Sequence, residues 1–167
     1  MTVAAAKDPL GRSATMPTEI ELEHLCDMHI DLAPPQVVTS PARTQMIFVA
    51  ERGAIHGERL RGVVLPGGGD WVHMGTTGIG RIDVRATIKT HDDVLISMTN
   101  SGVIALGEQG RALYAQGRDV PWDKSYIRSS PLFETGDPRY AWLNETHTVA
   151  VNELGPGHVN YRIFAVK

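Results

Sequence analysis

From Glu19 onward, apolar and polar residues alternate. EIELEHLCDMHIDL sets Ile20, Leu22, His24, Cys26, Met28, Ile30 and Leu32 on one side of an extended chain, with mostly acidic residues on the other. A period of two marks a half-buried strand. Further strand-forming runs follow, most of them with the same period: QMIFVA (45–50), ERLRGVVL (58–65), WVHM (71–74), RIDVRATIKT (81–90), VLISMTNSGVIAL (94–106), SYIRSSPLF (125–133), YAWLNETHTVAV (140–151) and VNYRIFAV (159–166). Between these runs lie turn-forming stretches: APPQVVTSPAR, PGGGD, a Thr-Thr-Gly turn and Asp92-Asp93. Only EQGRALYAQG, residues 108–117, has helical propensity, and it is too short to cover a parallel sheet. The expected fold is therefore all-β, a single antiparallel β-barrel of about eight strands with one short helix, in which closure removes the exposed edges. Residues 1–18 are small and polar and contain Pro9 and Gly11, so they read as a flexible N-terminal tail before a barrel domain at 19–167.

The two faces of several strands differ in kind. Ile82, Val84, Ala86 and Ile88 share one face of RIDVRATIKT, and Arg81, Asp83, Arg85 and Thr87 share the other. Tyr126, Arg128 and Ser130 share a face, as do Tyr140, Trp142, Asn144 and Thr146 if 140–151 is one strand. Two arrangements fit. If the mixed aromatic and polar face turns inward, it lines a lumen suited to one small ligand. If it turns outward, Trp142 covers a surface and Asp83 is a structural ion-pair partner of Arg85 or Arg128.

Composition narrows the function classes. The 167 residues suffice for one domain that needs no disulfide or metal to hold its core. A formal charge of -3 gives no footprint for nucleic acid or anionic lipid. The one cysteine, Cys26, reads as a small buried hydrophobe, and without a signal peptide or long apolar run the expected compartment is the cytoplasm, with no membrane association. Seven histidines form neither an HxH pair nor HExxH, so no metal is expected. PGGGD lacks the Lys-Ser/Thr of a P-loop, and its glycines read as a tight strand connection; no cofactor is expected.

GERLRGVVLPGGGDW (57–71), IDVRATIKTHDD (82–93) and YIRSSPLFETGDPRYAWLN (126–144) closely resemble the domain-of-unknown-function 3237 family, also called uncharacterised protein family 0311, in order and spacing. The resemblance runs from about Glu21 to Val166 and implies a compact barrel of lipocalin-like or allene-oxide-cyclase-like shape. By motif it carries over Arg61, Asp70, Trp71, Asp83, Arg85, Asn100, Tyr126, Arg128, Glu134, Tyr140, Trp142 and Asn144. The chain departs from the family pattern at WVHM and at MTNSGV, which makes His73 a candidate for substrate choice particular to this member.

Together these give an expected site in the lumen. Its catalytic candidates are Asp83 as general base with Arg85 beside it, Tyr126 as acid, a role Tyr140 could also fill, and His73, a residue type suited to proton transfer. Its substrate-binding candidates are Arg61, Trp71, Asn100, Arg128, Tyr140, Trp142 and Asn144. Arg85 or Arg128 could hold a substrate carboxylate or an enolate oxygen. The function expected is that of a cofactor-independent acid/base enzyme, an isomerase, lyase or dehydratase, cyclase or hydrolase, acting on a small cyclic or aromatic carbonyl metabolite. The alternative is a carrier that binds such a metabolite unchanged. An apolar barrel exterior would then invite a homo-oligomer.

Overall fold

The computed structural model describes Pro17 and residues 19–167, so the expected tail at 1–18 lies, apart from Pro17, outside the described residues. Ten antiparallel strands are described: β1 (Leu22–Leu32), β2 (Gln36–Thr39), β3 (Thr44–His56), β4 (Gly62–Val64), β5 (Gly69–Met74), β6 (Ile79–Thr90), β7 (Leu95–Ala105), β8 (Tyr126–Glu134), β9 (Thr148–Gly155) and β10 (His158–Val166). One α-helix, α1 (Gly107–Ala115), joins β7 to β8, and a 3-10 segment (Pro138–Glu145) joins β8 to β9. The meander from β6 to β10 returns to β1, β1 pairs with β3, and β4 and β5 both bridge β3 to β6. The sheet thereby closes into an eight-stranded barrel with two extra short strands, as the alternation predicts.

Register decides what lies inside. Val84 stands opposite Asn100 on β7, Ser129 on β8 is level with Ala150 on β9, and Asn152 is opposite Tyr161 on β10, which faces Met28 on β1. Inward residues therefore include Ile82, Val84, Ala86 and Ile88 of β6, all buried, while Asp83 and Arg85 face outward. The apolar parity is the interior one, the reverse of a lumen lined by the mixed face. The outer face remains hydrated because its charges pair laterally in water at little desolvation cost.

One end of the barrel is packed shut. Ile55, Leu60, Val64, Ile88, Ile96, Met98, Phe133, Leu143 and Ile163 are essentially fully buried there, and each such side chain contributes about 1.5–3 kcal/mol of burial free energy. The 3-10 segment closes this end. Residues 140–146 are therefore not the first half of a strand, and Tyr140, Trp142 and Asn144 do not share a strand face. Asp137-Pro138 sets the turn: Asp137 accepts from the Arg139 N–H at 2.9 Å, and proline occupies the first turn, where its missing N–H costs nothing. A three-residue repeat then buries Tyr140 and Leu143 together.

Two further strands differ from the alternation. ERLRGVVL contributes only Gly62–Val64, with Leu60 buried ahead of it. In β1 the register with β10 shifts between His24 and Cys26, so Leu25 and Cys26 are both buried and His24 turns out. A bulge inverts parity, which is why His24 leaves the face it shares with Cys26 on paper.

Candidate active site

Where β5, β7, β8, β9 and β10 cross mid-barrel, the apolar interior is interrupted. Asp70, Asn100, Ser129, Asn152 and Tyr161 all turn inward, from five different strands. Below them lies the packed end. Above them a cavity of about 270 Å³ is walled by apolar side chains such as Met46, Phe48, Val72, Ile104 and Leu154. Leu106 and Tyr114, from the start and end of the α1 region, also line it, as does His158 at the start of β10, whose Nε2 lies 3.6 Å from Asp119 Oδ1. Asp70, Asn152 and Tyr161 are the polar groups that line the cavity's inner part.

The glycine stretch before β5 places Asp70. A Cβ at Gly68 would lie 2.5 Å from the Arg85 carbonyl oxygen, and one at Gly69 would lie 2.6 Å from that of Phe48. Only glycine lets β5 enter this closely between its neighbours. The β5–β6 ladder then pairs Gly69 with Arg85, Asp70 with Val84, His73 with Arg81 and Met74 with Gly80, with no pair over Trp71 and Val72. In that gap the Asp83 N–H donates to Asp70 Oδ1 at 3.0 Å. A side chain thus takes the place of a ladder carbonyl, and the carboxyl group is held by the wall itself.

Burial raises the Asp70 pKa to about 6; the Asp83 N–H opposes this, and the nearby Asp83 carboxylate adds to it. Tyr161, 6% exposed, is pushed above the usual phenol range, first by burial and then by the negative charge of Asp70, with Asn100 opposing. Asn100 is 3% exposed and faces that hydroxyl, yet neither its Nδ2 nor its Oδ1 completes a hydrogen bond. Such an orphaned buried amide costs about 1–3 kcal/mol and signals a functional or solvent partner. Alongside, Ser129 Oγ donates to Asn152 Oδ1 at 3.2 Å. This arrangement combines a proton acceptor of near-neutral affinity, a firmly protonated hydroxyl and an amide with open valences in an apolar tube. That set can move a proton and stabilise a developing oxyanion.

The residues singled out from sequence are not brought together. Asp83 and Arg85 form an outer-face ion pair at 2.9 Å, with side chains 50% and 65% exposed. Tyr126 is exposed, with the Arg128 guanidinium 5.0 Å from its ring centre, and Arg128 Nη1 donates to the Ile127 carbonyl. Trp71 and His73 have the parity opposite to the cavity-lining Asp70, Val72 and Met74. Arg61 is exposed in the connection before β4. Tyr140, Trp142 and Asn144 belong to the closed end. The Tyr140 hydroxyl donates to Asp92 at 2.8 Å, the Trp142 ring lies 3.8 Å beneath the Arg59 guanidinium, and Asn144 bonds both backbone groups of Thr135 at 2.9 Å. Of the eleven site candidates, Asn100 alone reaches the polar group described here.

Asp70 is one of the residues the resemblance carries over, whereas Ser129, Asn152 and Tyr161 escaped sequence reasoning. Their signal is a polar residue breaking an otherwise apolar parity, as Asn100 also does after Ile96 and Met98: Ser129 after Ile127, Asn152 after Ala150, Tyr161 between Val159 and Ile163. Among the described residues, no group of three His, Cys, Asp or Glu side chains is placed to hold a metal ion, and no helix is long and apolar enough to cross a membrane.

Comparison with known proteins agrees with the fold. Residues 20–166 match the family described as "Protein of unknown function (DUF3237)". A UPF0311 protein of Clostridium acetobutylicum is 30% identical over 101 residues, 60% of this chain and 63% of that protein, so the matched stretch spans less than two thirds of the relative's length. The crystal structure of a β-barrel-like protein from Acinetobacter baumannii superposes with a TM-score of 0.77 at 31% identity, covering 92% of this chain and 99% of that one. A crystal structure from Penicillium herquei, described as that of an enzyme, superposes with a TM-score of 0.67 at 21% identity, covering 93% and 100%. At that identity the likeness shows shared fold.

Proposed function

We propose, for a chain that belongs to the DUF3237 family and folds as a barrel closed at one end, that the lumen binds a small cyclic or aromatic carbonyl compound and that Asp70 serves as its acid/base group. The observation that carries this reading is a carboxyl group at the inner end of an apolar cavity, held by one backbone N–H and facing a buried tyrosine backed by an unpartnered amide. A carboxylate whose proton affinity lies near neutrality can both take and return a proton at physiological pH.

In the reaction proposed, the Asp70 carboxylate removes a proton from the carbon beside the carbonyl. The electron pair moves onto the carbonyl oxygen, which accepts a hydrogen bond from the Tyr161 hydroxyl. Asp70 then returns the proton to another atom of the same molecule, giving isomerisation, or to a departing hydroxyl, giving dehydration. The Asn100 amide, buried beside that hydroxyl with no partner of its own, has a free donor and a free acceptor to offer as charge develops there. That the Penicillium herquei structural neighbour is described as an enzyme supports catalysis over carriage.

The test is deuterium exchange beside the carbonyl of cyclic ketones such as 2-tetralone in D2O, followed by NMR with wild type and Asp70→Asn. Wild type is expected to accelerate exchange above the buffer rate, and Asp70→Asn to lose about 10²–10⁴-fold of that acceleration. Equal exchange by the two proteins would remove Asp70 as the base. Saturable binding without exchange would leave the carrier reading in its place.

A further inference from the structure

The cationic side chains of this barrel stand outside it. Arg85 pairs with Asp83, Arg128 lies over Tyr126, Arg52 donates to Asp31 at 2.6 Å, Arg162 donates to Asp27 at 2.8 Å, and Arg59 lies over Trp142. No lysine or arginine is among the described residues lining the cavity. Near its inner end the one acidic lining group is Asp70, and its only described hydrogen bond is the one from Asp83. Asp70 therefore retains acceptor capacity that protein donors do not fill.

We infer that, given the lumen reading above, the cavity selects uncharged, mainly hydrocarbon molecules that present one hydroxyl group to Asp70, and rejects carboxylates and phosphates of the same shape. An anion entering here would lose its hydration, meet no lysine or arginine, with His158 the one basic side chain on the lining and already beside Asp119, and approach a group that is itself negative when ionised. A hydroxyl group has the opposite balance, because it supplies the donor that the carboxylate lacks and carries no charge to desolvate. Size narrows the class further. At the packing density of a protein interior, about 0.74, a cavity of about 270 Å³ accommodates a molecule of about 200 Å³, which corresponds to two or three fused rings. The expectation from sequence that Arg85 or Arg128 clamps a substrate carboxylate is thereby replaced. Recognition is of a neutral hydroxylated ring system, with its rings against Phe48, Ile104 and Leu154.

Four probes of one shape test this by calorimetric titration of the wild-type protein at pH 8: 2-naphthol, 2-methoxynaphthalene, naphthalene and 2-naphthoate. 2-Naphthol is expected to bind at least tenfold tighter than its methyl ether or naphthalene, and 2-naphthoate at least a hundredfold weaker than 2-naphthol. Asp70→Asn, with its fold checked by thermal melting, is expected to narrow the naphthol-to-naphthoate ratio at least tenfold. Naphthoate binding as tightly as naphthol, or the ether binding as tightly as the alcohol, would overturn the inference while leaving a ligand-binding lumen in place. Binding by none of the four would overturn the lumen reading itself.

Discussion

Asp70 is placed where the fold prefers it protonated, which gives stability a defined pH dependence. Its folded pKa of about 6 lies above the ordinary 3.8 because burial penalises the charge. Between pH about 4 and about 6 the folded protein keeps a proton that the unfolded chain releases, so stability falls as pH rises through that window. Asp70→Asn, whose amide oxygen can still accept the Asp83 N–H, is expected to be more stable than wild type at pH 7.5. The gain should be on the order of 2 kcal/mol, roughly 4–8 °C in melting temperature, and should vanish by pH 4. Calorimetric melts at the two pH values check this. Asn100→Leu should show the same exchange of function for stability. It replaces an unpartnered buried amide by an apolar group of similar size, so the melting temperature should hold or rise while 2-naphthol affinity falls. At this scale the sequence was informative in an unexpected place. Asn100 and Tyr161 stand out as polar residues on apolar parity, whereas Asp83 and Arg85 stand out only for being charged, which is what an outer wall requires.

The 3-10 segment shows how an element can defeat a period-two reading. YAWLNET alternates aromatic and polar residues as a strand would, but Asp137 and Pro138 start a turn of helix and the burial follows a spacing of three. Asp92 holds this cap by accepting from Thr90 at 2.6 Å, Tyr140 at 2.8 Å and Arg139 at 2.8 Å. Tyr140→Phe removes one bond to a charged acceptor and should lower stability by about 1.5 kcal/mol, or about 3–6 °C by thermal melting, without changing ligand affinity. The same cluster should respond to acid. Asp137 is held down to about 2, chiefly by the Arg139 side chain and then by its N–H, and Asp92 is lowered by Thr90 and Tyr140. The stabilisation is complete above pH about 4 and is lost as pH falls toward about 2. Arg139→Gln should raise the midpoint of acid unfolding followed by circular dichroism, and an unchanged midpoint would separate this cap from barrel stability. Strand identity elsewhere was legible because closure imposes strict alternation. The bulge at Leu25 was not, since a single inserted residue leaves no compositional trace.

At the scale of the molecule, the barrel type follows from alternation, but its polarity, which face is in, does not. Alternation is symmetric under exchange of faces, and aromatic residues fit either side of a wall. Once Val84 and Ile88 are inside, the exterior carries ion pairs rather than a continuous apolar belt, and the reason for expecting a homo-oligomer disappears with the inversion. The Asp83–Arg85 pair should matter little to the fold. Asp83→Asn is expected to change stability by no more than about 0.5 kcal/mol. Because the Asp83 charge contributes to the raised pKa of Asp70, the midpoint of any Asp70-dependent pH profile should move slightly toward acid in that variant. The wall at this point is one strand thick: Asp83 extends its carboxylate into solvent and gives its backbone N–H to the carboxyl group inside. A single amide is thus a reporter of the interior. The proton resonance of that amide should titrate with Asp70 near pH 6 and shift again when a guest occupies the lumen, so one cross-peak in a two-dimensional spectrum would register both events.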